Sequence, residues 1–167
     1  MAGTGPDGPL SQGAGDRSQS SGEVGNPSSG HERWIVDGNN VMGSRPDGWW
    51  RDRAGAARRL VTQLAGVARP AGTVLVVVFD GPARPGGPDP GTTDVEVRYA
   101  GTARSADDAI VALVAGEPTP PTTVFTSDAE LSRRVRTEGA KVFGARSLLD
   151  LIGSDERSVR RPRWSSH

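Results

Sequence analysis

The sequence predicts an α/β protein: a three-layer α/β/α sandwich around a mostly parallel sheet. Three observations point there. Residues 73–79 (TVLVVVF) are apolar nearly throughout and mostly β-branched, the pattern of a strand buried on both faces. Apolar runs of strand length alternate with stretches of helix length, as in units that join parallel strands through crossover helices. Two of the runs end on turn-forming pairs, Asp37-Gly38 and Asp80-Gly81, so acids stand where strands stop.

The elements follow in order. Trp34-Ile35-Val36 is a short first strand ending at the turn signal Asp37-Gly38-Asn39-Asn40. Residues 52–68 place Ala57, Leu60, Val61, Leu64 and Val67 on one helical face, with Asp52 near the start and Arg69-Pro70 closing the helix. The strand 73–79 comes next, then a Pro/Gly-rich loop over 82–93. Residues 94–100 (DVEVRYA) alternate apolar and polar, as an edge strand does. Residues 106–115 form a helix with Ser105 as its N-cap. Residues 122–126 are another short strand. Ser127 and Glu130 stand at capping-box spacing, so Ser127 is expected to open the next helix. Val142-Phe143 is the last strand and 146–152 the last helix.

The 167 residues suit one domain. Residues 1–32 are Gly, Ser, Pro and Asp with almost no large apolar side chain. They bury too little to offset their ordering entropy and are expected to form a disordered tail. Residues 154–167 are expected to form a second, Arg-rich flexible tail, which leaves 33–153 as the folded domain. No cysteine is present, so disulfides, zinc–thiolate sites and thiol nucleophiles are excluded. His31 and His167 both lie near the termini, which argues against a histidine metal site or a Ser-His-Asp triad. Acidic and basic residues balance at 20 each, so bulk charge does not advertise a polyanion partner. No apolar run reaches membrane-spanning length, and the N-terminus lacks a signal-peptide pattern. The expectation is a cytoplasmic protein with no membrane partner; oligomeric state is not indicated.

Asp37, Asp80 and Asp128 each follow a strand. In a parallel sheet the carboxyl ends of strands share one edge, so these acids project to one side, where such sheets bind ligands. Asp107 and Asp108 open the helix that leads into 122–126, and join the others only if that helix starts at the same edge. Acids without His or Cys suit the hard cations Mg²⁺ or Mn²⁺, which take carboxylate oxygens and water. Such ions activate water and stabilise the charge of a phosphodiester as it is cleaved. Each acid also has a plainer reading. Asp37 and Asp80 fit turn chemistry, and Asp107, Asp108 and Asp128 favour a helix dipole.

Arg45, Arg51 and Arg53 flank Trp49 and Trp50 just after the first turn, and Arg84, Arg98 and Arg104 lead to the 106–115 helix. Basic groups beside aromatics suit single-stranded RNA, through phosphate pairing and base stacking. Packing of Trp49 and Trp50 on the sheet is the plainer alternative. Arg133, Arg134 and Arg136 read as a solvated helix face.

Four motifs in order, V-D-G-N-N at 36–40, V-F-D-G at 78–81, S-A-D-D-A-I at 105–110 and T-S-D-A-E at 126–130, resemble the NYN domain, in particular its YacP-like branch within the PIN-like ribonuclease superfamily. The resemblance covers about 33–150. It implies a PIN-like fold and a Mg²⁺- or Mn²⁺-dependent endoribonuclease that cleaves RNA with metal-activated water. It implies metal-site roles for Asp37, Asp107 and Asp128, with Asn40 and Ser127 supporting. It matches Asp80 to the acid after the second strand and Asp108 to a further acid of that branch. It also implies that the helix at 106 begins beside the site. Longer members continue in a basic helical extension, whereas this chain ends in a short Arg-rich tail. Ribosome association carried by that extension is thereby in question for this chain. Two other readings stand beside the nuclease: a non-catalytic RNA-binding or regulatory module, since fold does not secure activity, and an aspartyl phosphotransfer domain using Asp37. The second lacks a well-placed lysine, because the only one, Lys141, precedes the last strand.

Overall fold

The computed structural model describes residues 31–90, 94–116 and 120–160. Five strands, β1 (Arg33–Asp37), β2 (Val74–Phe79), β3 (Val95–Tyr99), β4 (Thr122–Phe125) and β5 (Lys141–Phe143), form one sheet in the order β3-β2-β1-β4-β5. All four strand pairings are parallel. The expected α/β/α sandwich is therefore observed, with β3 at an edge. The helices are α1 (Gly38–Gly43), α2 (Arg53–Gly66), α3 (Ala106–Ala115), α4 (Ala129–Thr137) and α5 (Ala145–Val159); a 3-10 turn spans Trp49–Arg51.

Two buried clusters define the layers. Val36, Val77 and Phe79 face Leu60, Leu64, Leu148 and Ile152, so α1, α2 and α5 cover one side of the sheet. Ile35, Val76, Val78 and Val124 face Ile110, Val114, Leu131 and Val135, so α3 and α4 cover the other. The central strands β1 and β2 bury both faces, which explains their unbroken apolar runs. The helical face expected in 52–68 is also real: Ala57, Leu60, Val61, Leu64 and Val67 are all buried.

Three expectations need correction. Asp37-Gly38-Asn39-Asn40 does not form a simple turn. Gly38 begins a short helix, α1, whose N-cap is Asp37. Ser127 does not cap α4; Asp128 does, accepting the Leu131 N–H at 2.8 Å. The last helix runs from Ala145 to Val159, so the first six residues of the expected Arg-rich tail are helical. Residues 1–30 and 161–167 of the two expected tails, and positions 91–93 of the Pro/Gly loop, lie outside the described residues. Among the described residues no helix is long and apolar enough to cross a membrane.

Candidate active site

The chain builds β1, β2 and β3 in one direction across the sheet, then returns to add β4 and β5 on the other side of β1. The order reverses between β1 and β4, so their carboxyl ends flank the crevice where α/β sheets place ligands. Asp37 closes β1 at this point. It is 4% exposed. Its Oδ2 accepts the Thr126 hydroxyl at 2.9 Å, and its Oδ1 accepts the Asn40 N–H at 3.4 Å. Burial pushes its pKa up to about 6; the bonds from Thr126 and Asn40 oppose this, and the charges of Asp107 and Asp128 add to it.

α3 begins at the same edge because β3 is parallel and ends there. Asp80, just past β2, fixes the junction: its Oδ1 accepts the Ala106 N–H at 2.7 Å. The Ser105 hydroxyl caps the helix through the Asp108 N–H, as expected. The pKa of Asp107 is raised, first by burial, then by the charges of Asp128 and Asp80; Arg134 opposes the shift. The expected core set of Asp37, Asp107 and Asp128 therefore shares one electrostatic environment, with Asp80 at its rim. Asp108 stands apart. Its carboxylate pairs with Arg134 of α4 at 2.8 Å, and that bond and the one from Ser105 lower its pKa.

The two asparagines of α1 knit the edge together. Asn39 Oδ1 accepts the Asp80 N–H at 2.8 Å, and Asn40 Oδ1 accepts the Ser127 N–H at 2.8 Å. One short helix thus holds the chain just beyond β2 and β4. The Thr126 hydroxyl donates to Asp37 and accepts the Asp128 N–H at 3.1 Å. Ser127 Oγ accepts the Ala145 N–H at 2.9 Å, so this residue anchors the start of α5. Asn40 and Ser127 are the supports expected from the sequence; Asn39, Thr126 and Arg134 are not among them. Asn39 and Thr126 lie inside the quoted motifs, and a polar residue next to a strand-end acid was the available signal. Arg134 meets a partner 26 residues away, and no local pattern announces it.

The donors are all hard oxygens, the chemistry that Mg²⁺ or Mn²⁺ selects. As the side chains stand, no group of three acids among the described residues encloses an ion. That does not disqualify the site, since Mg²⁺ keeps several waters and is commonly held through one or two carboxylates. Among the described residues, no Lys or Arg forms an ion pair with Asp37, Asp107 or Asp128. The charge of Arg134 offsets part of the repulsion at Asp107, and no such charge acts on Asp37 among the causes of its shift. We take the donor set to fit such an ion.

Of the expected RNA-contacting arginines, Arg53 and Arg84 line a small cavity with Asn39, Asp80 and Tyr99, at the acidic edge. Arg104 lies with Arg98 and Tyr99 along a groove of about 320 Å³ between β3 and α3. Arg51 lies over the Trp50 ring. Arg45 points elsewhere, donating to Gln63 at 2.8 Å. Gln63 is ten residues beyond Arg53 along α2, about 15 Å at the usual helical rise, so Arg45 is turned from the acids. Lys141 starts β5, at the opposite edge of the sheet from Asp37, which leaves the phosphotransfer reading without its cation.

A parallel sheet with this acid-lined carboxyl edge is consistent with the class of PIN-like nuclease folds. The chain belongs to the YacP-like NYN domain family, whose model matches residues 34–165. Among solved structures it is similar to Rae1 (YacP) from Bacillus subtilis, with 25% identity and a TM-score of 0.63, covering 77% of each chain. It is similar also to the W164L mutant of that protein, with 26% identity and a TM-score of 0.64, covering 78% of this chain and 80% of the other. None of the curated proteins matches the chain.

Proposed function

We propose that the protein is a Mg²⁺- or Mn²⁺-dependent endoribonuclease acting on single-stranded RNA. The observation that carries this reading is Asp37: a buried carboxylate facing the charges of two further acids, with no cation paired to it among the described residues. A fold does not keep such a group for stability, because burial and repulsion both disfavour its charge. Asp37, Asp107 and Asp128 would hold the ion, with Asp80 at the rim. Bound there, the ion would supply an activated water and neutralise the charge developing on the phosphodiester. Asn39, Asn40 and Thr126 keep the carboxylates in place, while Arg53 and Arg84 draw the RNA backbone to the edge. Asp108 is the weakest member of the set, since Arg134 already neutralises it.

The test is cleavage of an end-labelled single-stranded RNA by purified protein with Mn²⁺, Mg²⁺ or EDTA. Wild type should cut with either metal and not with EDTA, and Asp37→Asn and Asp107→Asn should each lose at least about a hundredfold in rate, the scale of an essential electrostatic group. Full activity in both variants would remove the assignment. Salt-sensitive RNA binding without cleavage would favour the non-catalytic module instead.

A further inference from the structure

Trp50 is 56% exposed, although its neighbour Trp49 packs against the core. A tryptophan left this open forgoes much of the burial that its large ring can contribute. The exposure is built in. Gly48, in the left-handed conformation at φ 73°, turns the chain into the 3-10 segment, and Asp47 Oδ1 accepts the Trp49 N–H at 3.2 Å. Asp52 then caps α2, accepting the Gly55 N–H at 2.9 Å. Successive side chains of a 3-10 turn diverge, so seating Trp49 inward sends Trp50 outward.

The surroundings are basic and continuous with the acidic edge. The Arg51 guanidinium lies 5.8 Å from the Trp50 ring centroid, and that of Arg53 lies 5.4 Å from the Trp49 centroid. The two indoles meet edge to face at 6.4 Å. Arg53 also lines the cavity shared with Asn39 and Asp80. Trp50 is thus reached from the rim acid Asp80 by way of Arg53 and Trp49, with Arg51 over its own ring.

We propose that Trp50, with Arg51 and Arg53, forms a base-stacking subsite for a nucleotide flanking the bond cleaved at the acidic edge. The proposal rests on the reading of that edge as an RNA site. A half-open indole offers stacking surface to any base where Arg51 does not cover it, and the guanidiniums pair with the adjoining phosphates. The subsite therefore supplies affinity and register along the strand with little preference for base identity.

The test separates this subsite from the cleavage chemistry. Full-length protein carrying Asp37→Asn binds a fluorescein-labelled single-stranded oligoribonucleotide without cutting it. Adding Trp50→Ala should weaken binding about tenfold, and Trp50→Phe should restore most of the loss, as base–aromatic stacking requires. Abasic substitution walked along the strand should show one or two positions that matter, and Trp50→Ala should erase that sensitivity. In cleavage-competent protein the Trp50→Ala loss should fall on KM rather than kcat. Unchanged RNA affinity in Trp50→Ala, abasic sensitivity that survives the substitution, or absence of RNA binding overturns the subsite. Trp50-dependent stacking in a protein that never cleaves would leave the subsite standing and remove the nuclease reading alone.

Discussion

Asp37 carries its charge in a place that disfavours it. With a pKa near 6, against 3.8 for a free aspartate, it stays protonated in the folded protein over a range where the unfolded chain has already ionised. Its contribution to stability is fully present below about pH 4 and is lost as pH rises through about 6, a change on the order of 3 kcal/mol. Asn at this position removes the charge but weakens one of the two accepted hydrogen bonds, worth roughly 1 kcal/mol or more. Metal-free Asp37→Asn should therefore be more stable than wild type by about 1–2 kcal/mol near neutral pH, with the advantage reversing toward about pH 4. Urea unfolding across that range checks this, and a pH-independent difference would count against the buried, charged Asp37. The same variant should be inactive, so stability and function oppose each other at one residue. Asn40 poses the opposite case. Asn40→Ala leaves the Ser127 N–H without its acceptor and should cost about 1–2 kcal/mol in the same assay.

Helix starts carry much of the site. Asp37 caps α1, Asp128 caps α4, and Asp80 receives the first N–H of α3. Cap and metal roles of Asp128 can be separated by substitution. Asp128→Asn keeps a good cap and should melt like wild type while losing cleavage; Asp128→Ala should lose cleavage and about 1 kcal/mol of stability besides. Gly38 shows why α1 sits where it does. A Cβ there would lie 2.5 Å from Phe79 Cε1 and 3.0 Å from the Val78 carbonyl oxygen, so helix and strand touch through the missing side chain. Gly38→Ala should destabilise by about 1–3 kcal/mol, read from chemical denaturation. These elements also mark the limits of sequence reading. β2 was plain because a doubly buried strand is apolar throughout. α1 reads as a turn because Asp-Gly-Asn-Asn has turn composition, and its six residues are too few to show a helical period. The α4 cap reads one residue early in the sequence because Ser127 and Asp128 are both good caps, and only the tie from Ala145 to Ser127 decides between them.

Across the whole molecule, strand order turns separate motifs into one centre. Asp37 and Asp128 were readable from the sequence because parallel strands must share a carboxyl edge. Asp107 depended on β3 running parallel, which alternation along 94–100 does not reveal, and its place beside the site followed only from family resemblance. The pairing of Asp108 with Arg134 and the turning of Arg45 toward Gln63 depend on helix-to-helix contacts that no local pattern encodes. Folded together, the acids leave Asp37 without an ion-pair partner among the described arginines, and the proposed Mg²⁺ or Mn²⁺ would supply that charge. Calorimetric titration of Mn²⁺ into the metal-free protein tests that claim most directly. Wild type should bind near pH 7.5 and lose affinity as pH falls below about 6, where Asp37 takes up a proton, while Asp37→Asn and Asp107→Asn should each bind at least about tenfold more weakly. Absence of Mn²⁺ binding in wild type, or equal affinity in all three proteins, would contradict the account.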